Sequence, residues 1–196
     1  MTDLDYRAFW DEGFTWADYL GNEVREHRDL WLAVDGRAVV PAWAAEQAAA
    51  LGDGWKLLII SEDWCGDASN TVPVIAKLAA TAPGVELRVV KRDEHPALMD
   101  RHLTNGARSI PLVVVLDRDF RPVGQWGPRP SELQEMVLRE KKAALRPLAE
   151  IYRDVRRWYA RDRGESTLRE ILAVMKQGGP GPERGDPTAG KGLAHF

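Results

Sequence analysis

The chain has 196 residues, of which 44% are hydrophobic and 29% charged, which is typical of one soluble globular domain with appended helices. A formal net charge of -3 provides no basic field for nucleic acid or for an anionic membrane, so we expect neither as a partner. The single cysteine, Cys65, excludes an intrachain disulfide. Together with an acidic N-terminus that lacks a signal-peptide pattern, it predicts a cytoplasmic protein.

The N-terminal part of the chain is predicted to be helical. Between residues 4 and 34, apolar and aromatic residues recur at helical spacings that Gly13 and Gly21 interrupt, which predicts two or three short helices. A further helix begins near Pro41 and ends before Gly52. We expect the tryptophans of this part to pack in the core, or alternatively to form an interface for a partner or a homodimer. They are Trp10, Trp16, Trp31 and Trp43.

A strand, a helix and a second strand follow in the middle of the chain. Residues 55–61 form a short apolar run that is typical of a buried strand. Residues 68–80 return to a helical period, and residues 85–90 alternate and are rich in β-branched side chains. Two strands joined by a helix of this length predict a right-handed βαβ unit with parallel strands.

The remainder of the chain predicts a hairpin and further helices. A short helix over 95–103 precedes a third strand from Pro111 onward and a short fourth strand that ends before Gly127. Helical sequence then runs from Ser131 to about residue 175 and is interrupted twice, which predicts three helices. The first and the last of these helices each begin with a predicted capping box. The breaks are at Pro147 and Gly164, and the capping boxes are Ser131 with Gln134 and Thr167 with Glu170.

Four motifs occur in an order that resembles the thioredoxin-like superfamily. They are Trp64-Cys65-Gly66 between a strand and a helix, Pro73 within that helix, Ser109-Ile110-Pro111 before the third strand, and Gly127 after the fourth. The stretches WCGDA, TNGARSIP and WGPRP more narrowly resemble an uncharacterised bacterial thioredoxin family subgroup with one cysteine at this site. The resemblance implies an α/β thioredoxin-like fold, a central mixed sheet of about four strands flanked by helices.

This resemblance, together with the helical segments on either side, divides the chain into four parts. A helical N-terminal extension covers residues 1–37 and the thioredoxin-like domain covers residues 38–142. A C-terminal helical arm covers residues 143–176. The Gly/Pro-rich segment 177–196 has too few apolar residues to form a core, so we expect a disordered tail there.

The chain departs from the thioredoxin pattern where dithiol chemistry would need it. Ala68 stands where the family has its second cysteine, and Asp67 stands where thioredoxin has proline. Ile59 occupies the position of the buried carboxylate that helps to deprotonate the second thiol. These replacements remove the ordinary dithiol cycle and leave Cys65 as a single thiol.

A single thiol at this place predicts mixed-disulfide chemistry. Free N–H groups and the dipole at a helix N-terminus favour the thiolate, so we expect an exposed Cys65 with a modestly lowered pKa. The carboxylates of Asp63 and Asp67 act against that shift. A thiolate can attack a disulfide to form a mixed disulfide, and a second thiol from solution must then release it.

The resemblance extends to monothiol glutaredoxins and implies a monothiol thiol–disulfide oxidoreductase with Cys65 as nucleophile. Asp67 would tune the thiol or relay a proton. We expect no cofactor except an external low-molecular-weight thiol as co-substrate, and a protein disulfide or mixed disulfide as the partner. In this fold a substrate groove lies beside the cysteine, and four residues would shape it here. Two arginines would hold a carboxylate of the small thiol. The groove residues are Trp64, Gly66, Ile110 and Pro111, and the arginines are Arg108 and Arg129.

Other interpretations remain open at this point. Many thioredoxin-like domains have lost redox cycling, so the same groove could belong to a redox-inactive module that binds a protein or peptide. A lone cysteine can also be an inert core residue. His95 and His102 lie two helical turns apart, which is the wrong spacing for a shared metal, and we expect both at the surface or at helix ends.

Overall fold

The computed structural model describes residues 4–178 and contains a four-stranded mixed sheet in the order β2-β1-β3-β4. Strand β1 pairs in parallel with β2 and antiparallel with β3, and β3 pairs antiparallel with β4. The strands are β1 (Trp55–Ser61), β2 (Val85–Lys91), β3 (Leu112–Leu116) and β4 (Pro122–Trp126). This arrangement confirms the predicted α/β thioredoxin-like fold.

Helices flank the sheet and account for both ends of the described chain. None of the helices within residues 4–178 is long and apolar enough to cross a membrane. The short helix Trp16–Asp18 continues directly into a π-helical turn, Tyr19–Glu23. The helices are α1 (Tyr6–Glu12), α2 (Trp16–Asp18), α3 (Arg28–Arg37), α4 (Ala42–Ala50), α5 (Gly66–Thr81), α6 (Pro96–Arg101), α7 (Ser131–Ala143), α8 (Leu148–Asp162) and α9 (Glu165–Gly178).

The N-terminal helices cover the sheet with aromatic side chains. Trp31 is fully buried and Trp10 nearly so, while Trp16 and Trp43 are partly buried against the same core. Tyr19 lies between Phe14, Trp16 and Trp31, with ring centroids 5.8 to 6.4 Å from each of the three. The core position predicted for these tryptophans is therefore confirmed.

Helix α9 completes the core, whereas α7 and α8 stand outside it. Four side chains of α9 join the cluster that contains the strands, namely Leu168, Ile171, Leu172 and Met175. Helices α7 and α8 instead bury Leu133, Val137, Val155, Trp158 and Tyr159 in a cluster of their own. The structure groups α7 with α8 in a hairpin between β4 and α9, which we call the arm, and it groups α9 with the sheet. Of the predicted tail 177–196, the first two residues end α9 and residues 179–196 lie outside the described residues.

Both predicted capping boxes are wrong. Helix α7 begins after Pro130 without a side-chain cap, and the backbone N–H of Ser131 donates instead to the Glu170 carboxylate at 2.8 Å. Thr167 lies inside α9 with its hydroxyl buried, and that hydroxyl has no partner among the described residues. Glu170 also accepts from Trp126 Nε1 at 2.7 Å, so it ties α9 to β4 and to the start of α7.

His102 lies at a helix end, one of the two places expected for it, because it follows the last residue of α6, but its side chain is buried between three elements rather than at the surface. Its Nε2 lies 2.8 Å from the Tyr6 hydroxyl on α1, and its Nδ1 lies 2.7 Å from Gln125 Oε1 on β4. An amide oxygen only accepts, so Nδ1 carries the proton and Nε2 accepts from Tyr6. Burial lowers the pKa of His102, so the ring is neutral when the N-terminal helix is docked.

We expect acid to destabilise the fold through His102. The unfolded chain takes up a proton at His102 below about pH 6.5 while the folded chain does not, so the free energy of unfolding falls as the pH decreases through that value. In His102→Gln this loss is absent. Urea unfolding at about pH 5.5 and at about pH 7.5 measures the free energy of unfolding of both proteins. If the variant differs from the native chain by the same amount at both pH values, His102 is not the group responsible.

Candidate functional site

Cys65 is the residue immediately before α5, and it follows strand β1 and a short loop. It adopts an extended backbone and precedes the first helical residue, Gly66. The residue is only 8% exposed, and its thiol lies 3.4 Å from the carbonyl oxygen of Ile110, to which it donates. The Ile110–Pro111 peptide bond is cis. The sequence places this thiol at a helix N-terminus as found, but the expected exposure is wrong.

The expected lowering of the thiol pKa is wrong as well. Burial is the largest influence on Cys65 and raises its pKa, and the Asp67 carboxylate adds to that rise. The backbone N–H groups of Ala68 and Asp67 and the guanidinium of Arg129 act in the opposite direction without cancelling it. The resting side chain is therefore a neutral thiol at neutral pH.

Asp67 connects the arm to the sheet domain. Its carboxylate accepts from Arg129 Nε at 2.9 Å, lies 2.5 Å from Arg129 Nη2, and accepts from the Tyr159 hydroxyl of α8 at 2.9 Å. The side chains of Asp67 and Arg129 are only 11% and 13% exposed. Burial raises the pKa of Tyr159, and the neighbouring carboxylate adds to the rise, so this hydroxyl keeps its proton and donates. Asp67 is thus held by an ion pair and by the Tyr159 hydroxyl, and its charge raises the pKa of the Cys65 thiol.

The arm and the N-terminal helices enclose a pocket of about 820 Å³ over Cys65. Volumes of this size are typical of ligand sites. Its walls come from α3, the start of α5, the loops before β3 and α7, and the arm. The lining residues are His27, Leu30, Trp64, Cys65, Gly66, Asp67, Asn70, Arg92, Arg108, Ser109, Ile110, Pro128, Arg129, Lys141, Ala149, Tyr152, Val155 and Arg156.

Basic side chains dominate this pocket, although the chain as a whole is acidic. Arg92, Arg108, Arg129, Lys141 and Arg156 line it, against the one carboxylate of Asp67. Three of the cations have local partners, since Arg92 pairs with Asp93, Arg108 with Asp100, and Arg129 with Asp67. Within the described chain, Lys141 and Arg156 pair with no carboxylate, and Lys141 donates only to the Tyr152 hydroxyl at 3.2 Å. The pocket thus has positive charge to offer an anion.

The structure brings most of the predicted site residues together. Trp64, Gly66, Arg108, Ile110 and Arg129 line the pocket with Cys65. Trp64 is 40% exposed, and the Arg92 guanidinium lies 4.8 Å from its ring centroid.

Pro111 differs from these residues, because it is buried and does not line the pocket. Gly127, at φ +129°, packs against it, and a Cβ at that position would lie 2.3 Å from the Pro111 carbonyl oxygen. Glycine is therefore required where the chain leaves β4 for the arm.

The N-terminal extension holds the loop that precedes Cys65. The Asp63 carboxylate accepts from the backbone N–H groups of Arg25 and Glu26, each at 2.8 Å. Trp31 Nε1 donates to the Asp63 carbonyl oxygen at 2.9 Å. These contacts fix the position of the loop from outside the sheet, and they make the extension part of the site rather than an appendage.

Several pocket residues were not predicted from the sequence. Arg92 lies in the charged segment KRDEHP and lines the pocket, and Lys141 and Arg156 line it from the charge-rich helices of the arm. Tyr159, which donates to Asp67, belongs to the same arm. Helical periodicity gives a signal for Tyr159, since it shares an apolar face with Val155 and Trp158. No local pattern indicates that this face packs over Cys65. Residues 4–178 contain no cluster of three or more His, Cys, Asp or Glu side chains that could hold a metal ion.

Comparisons with known proteins agree with the fold and leave the activity open. The family model described as thioredoxin matches residues 13–146. A crystal structure of a protein of unknown function from Pseudomonas aeruginosa is 20% identical with a TM-score of 0.70, over 89% of this chain and 98% of the other. An HIV epitope-scaffold structure is 19% identical with a TM-score of 0.70, over 88% of this chain and 98% of the other. No curated protein matches the sequence.

We expect Tyr159→Phe to loosen the arm without unfolding the sheet. The variant removes one hydrogen bond to a buried carboxylate, which contributes about 1.5–3 kcal/mol. Amide hydrogen exchange in α8 should become faster, while β1 and β3 keep their protection. Tyr152→Phe is the matched control, because Tyr152 is a half-exposed tyrosine on the same helix with no contact to Asp67. Unchanged exchange in α8 of Tyr159→Phe would show that Asp67 does not hold the arm.

Proposed function

Because the chain belongs to the thioredoxin family, we propose that it is a thioredoxin-fold binding protein that holds an acidic peptide segment in the pocket over Cys65. The observation that carries this proposal is the state of the thiol. Cys65 is buried, donates to the Ile110 carbonyl and has a raised pKa, so it lacks the thiolate that thiol–disulfide exchange needs.

The pocket offers what recognition of an acidic peptide requires. Clusters of basic side chains bind acidic motifs, and guanidinium groups match carboxylates in a two-pronged geometry. Lys141 and Arg156 are the cations with no carboxylate partner among the described residues, and they line the pocket from α7 and α8, respectively. Trp64 adds an exposed aromatic surface beside them, which can pack against the apolar part of a peptide.

A labelled acidic peptide tests the proposal directly. We expect a fluorescein-labelled peptide of alternating Glu and Val residues to bind, measured by fluorescence anisotropy, and its Lys–Val counterpart not to bind. Lys141→Glu should weaken binding by about tenfold or more, because it replaces an attraction by a repulsion. Lys142→Glu is the matched control, since this neighbouring lysine is exposed and does not line the pocket.

The role of Cys65 is tested with the same probe. Binding to Cys65→Ser should equal binding to the native chain, because the thiol contributes no bond to the ligand. Equal binding of the acidic and the basic peptide, or no difference between the two lysine variants, would rule out acidic-peptide recognition at this pocket.

A second candidate function is monothiol thiol–disulfide exchange, which one observation favours. Cys65 lines the pocket beside cations that can hold the carboxylates of a small thiol, and the N–H groups of Asp67 and Ala68 favour its thiolate. In this reaction the Cys65 thiolate attacks a disulfide, a mixed disulfide forms, and one thiolate leaves and takes up a proton. A second small thiol then attacks the partner's sulfur in the mixed disulfide, which forms a new disulfide and releases Cys65 as a thiolate.

The alkylation rate of Cys65 against pH separates the two functions. With a raised pKa, reaction with iodoacetamide should rise at higher pH in the folded chain than in the unfolded chain, whose thiol titrates at about 8.5. Glutathione disulfide should then give little mixed disulfide at neutral pH, as intact mass measures. A folded-state pKa below the unfolded value, with rapid formation of the mixed disulfide, would instead support the oxidoreductase.

A further inference from the structure

A second cavity, of about 460 Å³, lies between α3, α5 and α8. Its walls are largely apolar, and they come from the sides of the three helices that face one another. The apolar lining residues are Leu30 and Val34 of α3, Ala38 directly after it, Val74 of α5, and Tyr159 and Ala160 of α8. A cavity of this size and lining can take the hydrocarbon part of a small molecule.

Three arginines surround this apolar cavity. Arg37, Arg156 and Arg163 line it, and its lining includes no carboxylate. Among the ion pairs of residues 4–178, none involves these three residues, and Arg37 donates only to the Ala33 carbonyl of its own helix. In this they differ from Arg92, Arg108 and Arg129 of the pocket over Cys65, each of which has a carboxylate partner. The cavity therefore combines apolar walls with guanidinium charge that no described carboxylate neutralises.

The backbone between α8 and α9 brings Arg163 to this place. Arg163 ends α8 in the left-handed conformation at φ 53°, and Gly164 follows at φ +85°. A Cβ on Gly164 would lie 2.6 Å from a methyl carbon of Val74, so only glycine lets this turn lie against α5. The turn thus carries Arg163 close to α5, where it lines the cavity together with Val74.

We propose that this cavity binds a small amphiphilic carboxylic acid. The hydrocarbon part lies against Leu30, Val34 and Val74, and the carboxylate is held by Arg37, Arg156 and Arg163. A neutral apolar molecule would leave the guanidinium groups without an anion, and a fully polar anion would leave the apolar walls in water. Only a molecule with both parts satisfies both features of the lining.

The proposal is independent of acidic-peptide binding over Cys65, although the two cavities adjoin. They share Leu30, Asn70 and Arg156, whereas Arg37 and Arg163 line only the smaller cavity and Lys141 only the larger one. Substitutions at Arg37 and Arg163 therefore report on the carboxylic acid alone, and Lys141→Glu reports on the peptide alone.

Octanoate is a suitable probe, with octan-1-ol as its neutral counterpart. Isothermal titration calorimetry on the full chain should show octanoate binding about tenfold or more tightly than octan-1-ol, because the carboxylate gains charged hydrogen bonds. Arg37→Ala combined with Arg163→Ala should remove that preference. Arg153→Ala is the matched control, since Arg153 is an exposed arginine of α8 that lines neither cavity.

A second variant tests the apolar part while all the charges are kept. Ala160 lines the cavity from the exposed side of α8, so Ala160→Trp should fill the space and abolish octanoate binding without disturbing the core. Methyl shifts of Leu30, Val34 and Val74 in nuclear magnetic resonance spectra should respond to octanoate. Equal binding of octanoate and octan-1-ol, binding unaffected by either variant, or methyl shifts elsewhere would overturn the proposal.

Discussion

The carboxylate of Asp67 is the interaction on which the architecture of the site depends. It lies in the first turn of α5, two residues after Cys65, and accepts hydrogen bonds from Arg129 in the loop before α7 and from Tyr159 in the last turn of α8. A nearly buried charge is tolerated only when it is paired, so the arm has to close over it. Both cavities are bounded by α8, which the Tyr159 hydroxyl attaches to this carboxylate.

The same carboxylate accounts for the chemistry of the thiol. Closure of the arm helps to bury Cys65, and burial is the main cause of its raised pKa, to which the Asp67 charge adds. In the thioredoxin family that the motifs resemble, the position of Ala68 carries a second cysteine. Here Ala68 is fully buried and offers only a backbone N–H toward the thiol. The chain thus combines the fold of its family with a thiol that burial keeps protonated.

Most of the fold could be predicted from the sequence because it is encoded locally. Strand β1 follows from an apolar run, and the helix breaks at Pro147 and Gly164 follow from backbone chemistry. The site was less predictable, since its main features come from contacts between distant segments. Nothing near Cys65 indicates that Tyr159, 92 residues from Asp67, donates to that carboxylate. The burial of His102 was unpredictable for the same reason, because its partner Tyr6 lies 96 residues away.

The order of segments along the chain has a consequence for synthesis on the ribosome. Helix α9 supplies a layer of the core, yet it is translated only after the α7–α8 hairpin has emerged. Until then one face of the sheet, with Trp126 and its neighbours, lacks its cover and exposes apolar surface. Domains fold as units during translation, so the nascent sheet has to wait for α9 while the hairpin can already form its own small cluster.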